Sequence, residues 1–200
     1  MQRSWRGRAL GLGAGARLGH EPVPMIIRQA RLSDAPDIAA IYAHHVLHGT
    51  ATYELDPPET AEMAQRMEKV LAAGWPWLVA CDPAGGIMGY GYVAQFRDRA
   101  AYRFAGEDSI YIRDDCRGQG AGKALLQALL QAAEAAGFRQ MYAVIGGAEP
   151  ASIALHAALG FEPAGILRGS GRKHGRWLDT VFMQIALGGG TAAPPDKEPQ

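Results

Sequence analysis

Apolar and polar positions alternate along this chain with two different periods, and the switches between them outline its elements. Ile26-Ile27-Arg28-Gln29-Ala30 reads as a short apolar strand. Ser33 or Asp34 is a good cap for the helix that follows, and Pro36 suits its first turn. That helix carries Ile38, Ile41, Tyr42 and His45 at i, i+3, i+4 and i+7, the spacing of one buried stripe. Glu59 to Ala73 repeats the helical period, and Gly74 closes it. Trp77-Leu78-Val79-Ala80-Cys81 and Ile87 to Ala94 flank the turn Asp82-Pro83-Ala84-Gly85-Gly86, which predicts a hairpin. Ser109-Ile110-Tyr111-Ile112 predicts another strand, and Ala124 to Leu130 a helix that Gly137 stops. A strand at Gln140 to Ile145 and a short helix at Ala151 to Leu159, ended by Gly160, come next. A final antiparallel pair is predicted around Glu162 to Gly169 and Trp177 to Leu187.

Between the strand at Ser109 and the helix at Ala124 lies Arg117-Gly118-Gln119-Gly120-Ala121-Gly122-Lys123. A glycine loop entering a helix offers bare N–H groups to an anion, because no Cβ stands in the way and the first-turn amides have no helical partner. Spacing restricts the anion. A nucleoside-triphosphate loop needs G-x-x-x-x-G-K-[ST], but Arg117 stands five before Gly122 and Ala124 replaces the metal-binding hydroxyl. A dinucleotide loop needs G-x-G-x-x-G, whereas Gly118, Gly120 and Gly122 run G-x-G-x-G and Leu125 stands where a glycine is required. The plain alternative is a flexible turn ahead of a surface helix.

Composition narrows the class further. Two hundred residues, 48% of them apolar, suffice for one domain with a proper core. Twenty basic and twenty acidic side chains cancel, which argues against a broad nucleic-acid or membrane-surface partner. Cys81 and Cys116 are too few for a disulfide framework and no apolar run approaches a membrane span, so a cytoplasmic protein is expected. Residues 1–24 contain Arg3, Arg6, Arg8 and Arg17 and no acid before Glu21. They read as a disordered or mis-assigned extension ahead of Met25, although an Arg-rich, acid-poor leader also has the composition of a transit peptide. The domain is expected over 25–187, and residues 188–200, rich in glycine, proline and charge, form an expected disordered tail.

Arg-x-x-Gly-x-Gly, from Arg117 to Gly122, resembles the pyrophosphate loop of the GNAT superfamily of N-acetyltransferases. Other segments are similar to its phosphinothricin and methionine sulfoximine acetyltransferase branch. These are Arg99-Ala100-Ala101-Tyr102, Glu107-Asp108-Ser109-Ile110-Tyr111-Ile112, Ala143-Val144-Ile145-Gly146, Ala151-Ser152-Ile153-Ala154-Leu155-His156, Leu159-Gly160-Phe161 and Lys173-His174-Gly175-Arg176-Trp177. The resemblance implies an α/β (α+β) GNAT fold, a mixed, mostly antiparallel central sheet flanked by helices, with one strand splayed at an acetyl-CoA site. It also implies an acetyl-CoA-dependent enzyme that acetylates the amino group of a small amino-acid-like substrate, needs no metal and forms a homodimer. Two other readings stay open: a non-catalytic acyl-CoA sensor, and a GNAT enzyme acting on another amine or a protein N-terminus.

The same resemblance distributes roles. Glu107 matches the family's general base, with an exposed carboxylate at a strand start as the alternative, and Asp108 is its neighbouring substitute, which strand alternation turns to the other face. Ile110, Tyr111 and Ile112 are expected to offer backbone groups to the pantetheine and the thioester, and Arg117, Gly118, Gln119, Gly120, Ala121, Gly122 and Lys123 to hold the pyrophosphate. His156, where many relatives carry a tyrosine, is the candidate acid for the departing thiolate, or a helix histidine that moves no proton. Glu149 stands where relatives have a cofactor-binding asparagine, and a carboxylate cannot donate the amide's hydrogen bond. Arg97, Asp98 and Arg99 fall in the segment that forms the amino-acid pocket of relatives, where a guanidinium suits a carboxylate. Asp108, Ser109, Lys173 and His174 are further candidate substrate contacts, and Tyr53 and Glu54 could line the same pocket. His44, His45 and His48 lack the glutamate or third ligand of a zinc-protease arrangement and read as a helix-end cluster.

Overall fold

The computed structural model describes residues 24–195. The expected N-terminal extension, apart from Pro24, lies outside the described residues, as do residues 196–200 of the expected tail. The chain forms a seven-stranded sheet in the order β1-β2-β3-β4-β5-β7-β6. Its strands are β1 (Ile26–Gln29), β2 (Trp77–Cys81), β3 (Ile87–Gln95), β4 (Ala105–Ile112), β5 (Gln140–Gly146), β6 (Glu162–Lys173) and β7 (Arg176–Ala186). Every neighbouring pair is antiparallel except β4 with β5. The helices are α1 (Ala35–His48), α2 (Thr60–Ala72), α3 (Ala121–Ala135) and α4 (Pro150–Ala157).

Two apolar clusters lie on opposite faces of this sheet. One joins α1 and α2 to the sheet through Ile38, Tyr42, Val46, Met67, Trp77 and Tyr90. The other joins α3 through Leu125, Leu126 and Leu129 to Met141, Met183 and Phe161. The stripe of α1 behaves as its spacing predicts, with Ile38, Ile41 and Tyr42 buried. Trp77 stacks on Tyr92 with ring centroids 4.2 Å apart, and Tyr42 meets Tyr111 edge-on at 5.0 Å.

Strand β4 begins at Ala105, four residues earlier than the apolar run predicts, so Glu107 lies within a strand rather than at its mouth. Gly106 permits this. A Cβ there would stand 2.8 Å from Val93 and 3.1 Å from Met141, so only glycine lets β4 settle between its neighbours. The final hairpin is also longer than its apolar pattern, because β6 continues as an exposed ribbon to Lys173.

Pairing between β4 and β5 runs from Ala105↔Gln140 to Asp108↔Ala143 and stops. Beyond Asp108 the strands diverge, and this splay is the site-forming feature of the fold.

Candidate active site

The backbone of β4 faces its neighbours alternately. Arg113 donates its N–H to the Met88 carbonyl of β3, so the odd-numbered residues of β4 direct their backbone groups to β3 and the even-numbered ones to the β5 side. Ile110 and Ile112 therefore turn their amides and carbonyls into the splay. Tyr111, expected to do the same, turns its backbone groups to β3 and its ring into the aromatic cluster. The Ile112 carbonyl already accepts a hydrogen bond from His45 Nε2 at 2.9 Å. A carbonyl only accepts, so His45 carries its hydrogen on Nε2. Burial lowers its pKa, partly offset by that carbonyl, and keeps the ring neutral. In the sequence His45 stands in the helical stripe and in a histidine cluster, with no sign of this role, because its partner is 67 residues away.

A cavity of about 620 Å³ opens at the splay. It is lined by His44, His45 and Thr50 from the α1 side and by Gly120, Ser152 and Leu155 from the α3 and α4 side, so it passes through the gap in the sheet. Ile110, Ile112, Arg117, Gly118, Ala121, Gly122 and Glu149 also line it. Gly118 and Gly120 have φ of +74° and +87°, and a Cβ on either would meet no protein atom within 4 Å. The loop thus bares its backbone toward open space at the N-terminus of α3, the arrangement a pyrophosphate needs. Gln119 and Lys123 do not line the cavity; Gln119 braces the loop by donating to the Asp115 carbonyl at 2.9 Å. Arg117 pairs with Asp114 at 3.2 Å. Glu149 precedes α4 without capping it through its side chain.

Alternation sorts the acidic pair of β4. Glu107 points to the α1/α2 face, where it acts on Tyr92, and Asp108 points to the α3/α4 face. Burial raises the Glu107 pKa to about 6; Arg97 pulls it down and Asp108 pushes it up, both less strongly. Arg97 is exposed and its guanidinium lies 4.1 Å from the Phe96 ring. Asp98 and Arg99 are exposed on the same loop, and Ser109 is half-buried on the Glu107 face.

Asp108 is buried, and its Oδ2 lies 2.9 Å from His156 Nε2. His156 Nδ1 lies 2.7 Å from the Ser152 carbonyl. Lys173 and His174 meet the loop after α1 rather than the cavity. Lys173 Nζ is buried and donates to the Thr52 carbonyl at 2.9 Å, and His174 Nε2 donates to the Gly49 carbonyl at 3.2 Å. Burial lowers the Lys173 pKa, against the pull of Glu54. Arg176, which stands in the matching segment Lys173 to Trp177 without an expected role, is the residue of this turn that lines the cavity. The Tyr53 hydroxyl lies 2.7 Å from Thr180 Oγ1, and Glu54 is held by Arg66 at 2.7 Å. No group of three or more potential metal ligands occurs among the described residues.

Comparison with known proteins agrees with this geometry. The acetyltransferase (GNAT) domain family matches residues 27–182. Phosphinothricin N-acetyltransferase of Alcaligenes faecalis is 48% identical over 85% of this chain and 86% of its own. An L-methionine sulfoximine/L-methionine sulfone acetyltransferase of Pseudomonas aeruginosa is 42% identical over 84% of this chain and 98% of its own. A GNAT superfamily phosphinothricin acetyltransferase from Sinorhizobium meliloti, solved in complex with acetyl-CoA, superposes with a TM-score of 0.85 at 53% identity, covering 86% of this chain and 94% of that one. The chain belongs to the GNAT acetyltransferase family, on its phosphinothricin and methionine sulfoximine N-acetyltransferase branch. It is accordingly an N-acetyltransferase.

Proposed function

We propose that this protein transfers the acetyl group of acetyl-CoA directly to the amino group of a small amino-acid-like acceptor, of the phosphinothricin, methionine sulfoximine or methionine sulfone kind. The observation that carries the reading is one cavity that runs from the Gly118–Gly122 loop through the β4–β5 splay, with Glu107 on the acceptor face of the same strand. The loop amides and the first turn of α3 hold the pyrophosphate. The Ile110 and Ile112 amides hydrogen-bond the pantetheine and polarise the thioester carbonyl. Glu107, with its pKa near 6, is largely ionised at neutral pH yet basic enough to take the amine proton directly or through one water. His156 supplies the proton for the departing thiolate. Arg97, whose charge acts on Glu107 and which has no salt-bridge partner among the described residues, suits the acceptor's carboxylate, with Arg99 on the same loop.

Two further features complete the reading. Ile166, Leu167 and Trp177 are 51%, 53% and 69% exposed on the β6–β7 ribbon, Ile166 and Trp177 on one face and Leu167 on the other, apolar positions that a second copy of the chain wrapped about the ribbon would cover in a homodimer. Cys81 and Cys116 are free thiols, and no helix among the described residues is long and apolar enough to cross a membrane, which suits a cytoplasmic enzyme.

Release of free CoA from acetyl-CoA, measured against a panel of amino acids, amines and peptides, tests the proposal. Turnover with methionine sulfone or phosphinothricin supports it. Acetyl-CoA binding without release of CoA to any acceptor points to a sensor, and turnover only with peptides or polyamines points to another GNAT substrate class.

A further inference from the structure

Asp108 is the last residue of β4 that pairs with β5, so its side chain marks the apex of the splay. From there it crosses to α4 and meets His156, 48 residues on, with both side chains almost wholly enclosed: 2% of Asp108 and 5% of His156 remain exposed. The partners decide the protons. His156 Nδ1 lies 2.7 Å from the Ser152 carbonyl, which only accepts, and 3.4 Å from the Ser152 hydroxyl; the much shorter contact to the carbonyl places a hydrogen on Nδ1. Nε2 faces a carboxylate, so either the ring is an imidazolium donating from both nitrogens, or the acid is protonated and donates to Nε2. Either way the pair stores one proton more than a neutral imidazole beside a carboxylate.

A small cavity of about 50 Å³ adjoins the pair, lined by Asp108, Ile110, Ala143, Ser152 and His156 among others. Asp108 Oδ1, the oxygen not engaged by His156, has no hydrogen-bond donor among the described residues. The pair is therefore sealed from bulk solvent on most sides, and the small cavity beside it shares Ala51, Ile110 and Ser152 with the lining of the larger cavity at the splay.

We propose that Asp108 is a positioning residue for acyl transfer, holding His156 as an imidazolium at the apex of the splay so that a proton is stored where the thiolate departs. The inference rests on the acetyl-transfer reading above. In the step it serves, the bond between the acyl carbon and sulfur breaks, its electron pair goes to sulfur, and sulfur takes one proton from the pair, released from Nε2 along its hydrogen bond to the Asp108 carboxylate, whose unpartnered Oδ1 belongs to the lining of the small cavity. An N–H bond is lost, an S–H bond forms, and neutral imidazole remains beside the carboxylate with its lone pair facing Asp108. That arrangement is repulsive, so the pair recovers its proton from solvent once CoA leaves. The acceptor amine has meanwhile released its own protons through Glu107 on the opposite face. Burial opposes the charge on His156, but the hydrogen bond and charge of Asp108 and the Ser152 carbonyl outweigh it, so its pKa lies above the ordinary histidine value. Asp108 from β4 is the only titratable group acting on the ring among the described residues; Phe161, edge-on at 4.9 Å, is uncharged.

Asp108→Asn tests this, because an amide of the same shape can donate to Nε2 and preserve the contact while removing the stored proton. With methionine sulfone as acceptor, kcat should fall about 10²-fold, with the KM for acetyl-CoA changed less than about 3-fold and the alkaline limb of the kcat profile moved to lower pH. With the acetyl thioester of 4-nitrothiophenol, whose thiolate leaves without a proton, the variant and the wild type should differ by less than about 3-fold. Unchanged kcat and an unchanged alkaline limb in a folded Asp108→Asn protein would overturn the proposal while leaving the acetyl-transfer reading intact. Nitrogen-15 NMR of histidine-labelled wild type gives a readout independent of activity. Both ring nitrogens of His156 should be protonated at pH 7 in the wild type and only one in Asp108→Asn. A neutral His156 in the wild type at pH 7 would sink the idea, even if no acceptor were ever found.

Discussion

Glu107 and Asp108 are adjacent on β4, yet their carboxylates enter opposite faces of the sheet, Glu107 toward the α1/α2 side and Asp108 into a 2.9 Å contact with His156. One strand thereby presents a carboxylate to each face of the sheet, the proposed base on one and the proposed partner of His156 on the other. The period of two in a strand makes this separation automatic.

If Glu107 accepts the amine proton, Glu107→Gln removes the base without changing the volume or the strand pairing. Steady-state turnover should fall 10²- to 10⁴-fold, while the Kd for acetyl-CoA, measured by calorimetry, should stay within about 3-fold. Full turnover in the variant would assign the base elsewhere.

The Glu107 pKa of about 6 sets a pH limb of its own. A raised carboxylate pKa means that the basic form is lost as pH falls through that value. The pH profile of kcat/KM should therefore rise tenfold per pH unit below about 6 and level off above it. The limb should be missing in Glu107→Gln.

Gly120 stands at φ +87° immediately before α3, with open space where a Cβ would be. Gly120→Ala should cost about 1–2 kcal/mol of stability from the left-handed backbone and place a methyl in the path of the pyrophosphate. The KM for acetyl-CoA should rise at least tenfold, with a smaller effect on the KM for the acceptor. An unaltered acetyl-CoA KM would mean that the loop does not carry the phosphates.

Lys173 donates from a buried position to the Thr52 carbonyl and so ties the β6–β7 turn to the loop that follows α1. In Lys173→Met that carbonyl loses its partner, at a cost of about 1–3 kcal/mol. The thermal midpoint should drop by several degrees, and the KM for the acceptor should rise more than that for acetyl-CoA. A change confined to acetyl-CoA affinity would contradict this assignment.

Leu167 is half exposed on the β6–β7 ribbon, close to Ile166. Leu167→Asp should convert a homodimer into a monomer in light-scattering measurements without unfolding it, since more than half of the residue is already exposed. A wild-type protein that is monomeric at micromolar concentration would remove the need for a partner copy.

Much of this architecture is written locally. The helical stripe of α1, the hairpin of β2 and β3 around Asp82 to Gly86, and the glycine loop before α3 were legible because periodicity, turn chemistry and φ preferences act over a few residues. The start of β4 was only partly legible. Glu107 and Asp108 read as the polar mouth of a strand, and they lie inside it because β3 and β5 pair with Gly106 to Asp108 from both sides.

By itself, then, the sequence determined the order of elements, the bare loop at Gly118 to Gly122 and, through matching segments, the family. Tertiary structure decided which side chains meet. His45 finds the Ile112 carbonyl 67 residues away, His156 finds Asp108 across 48, and Lys173 finds Thr52 across 121. Those separations lie far beyond the reach of any local pattern. The physical reason is that burial leaves each polar group to find a partner wherever the packed sheet and helices bring one within about 3 Å.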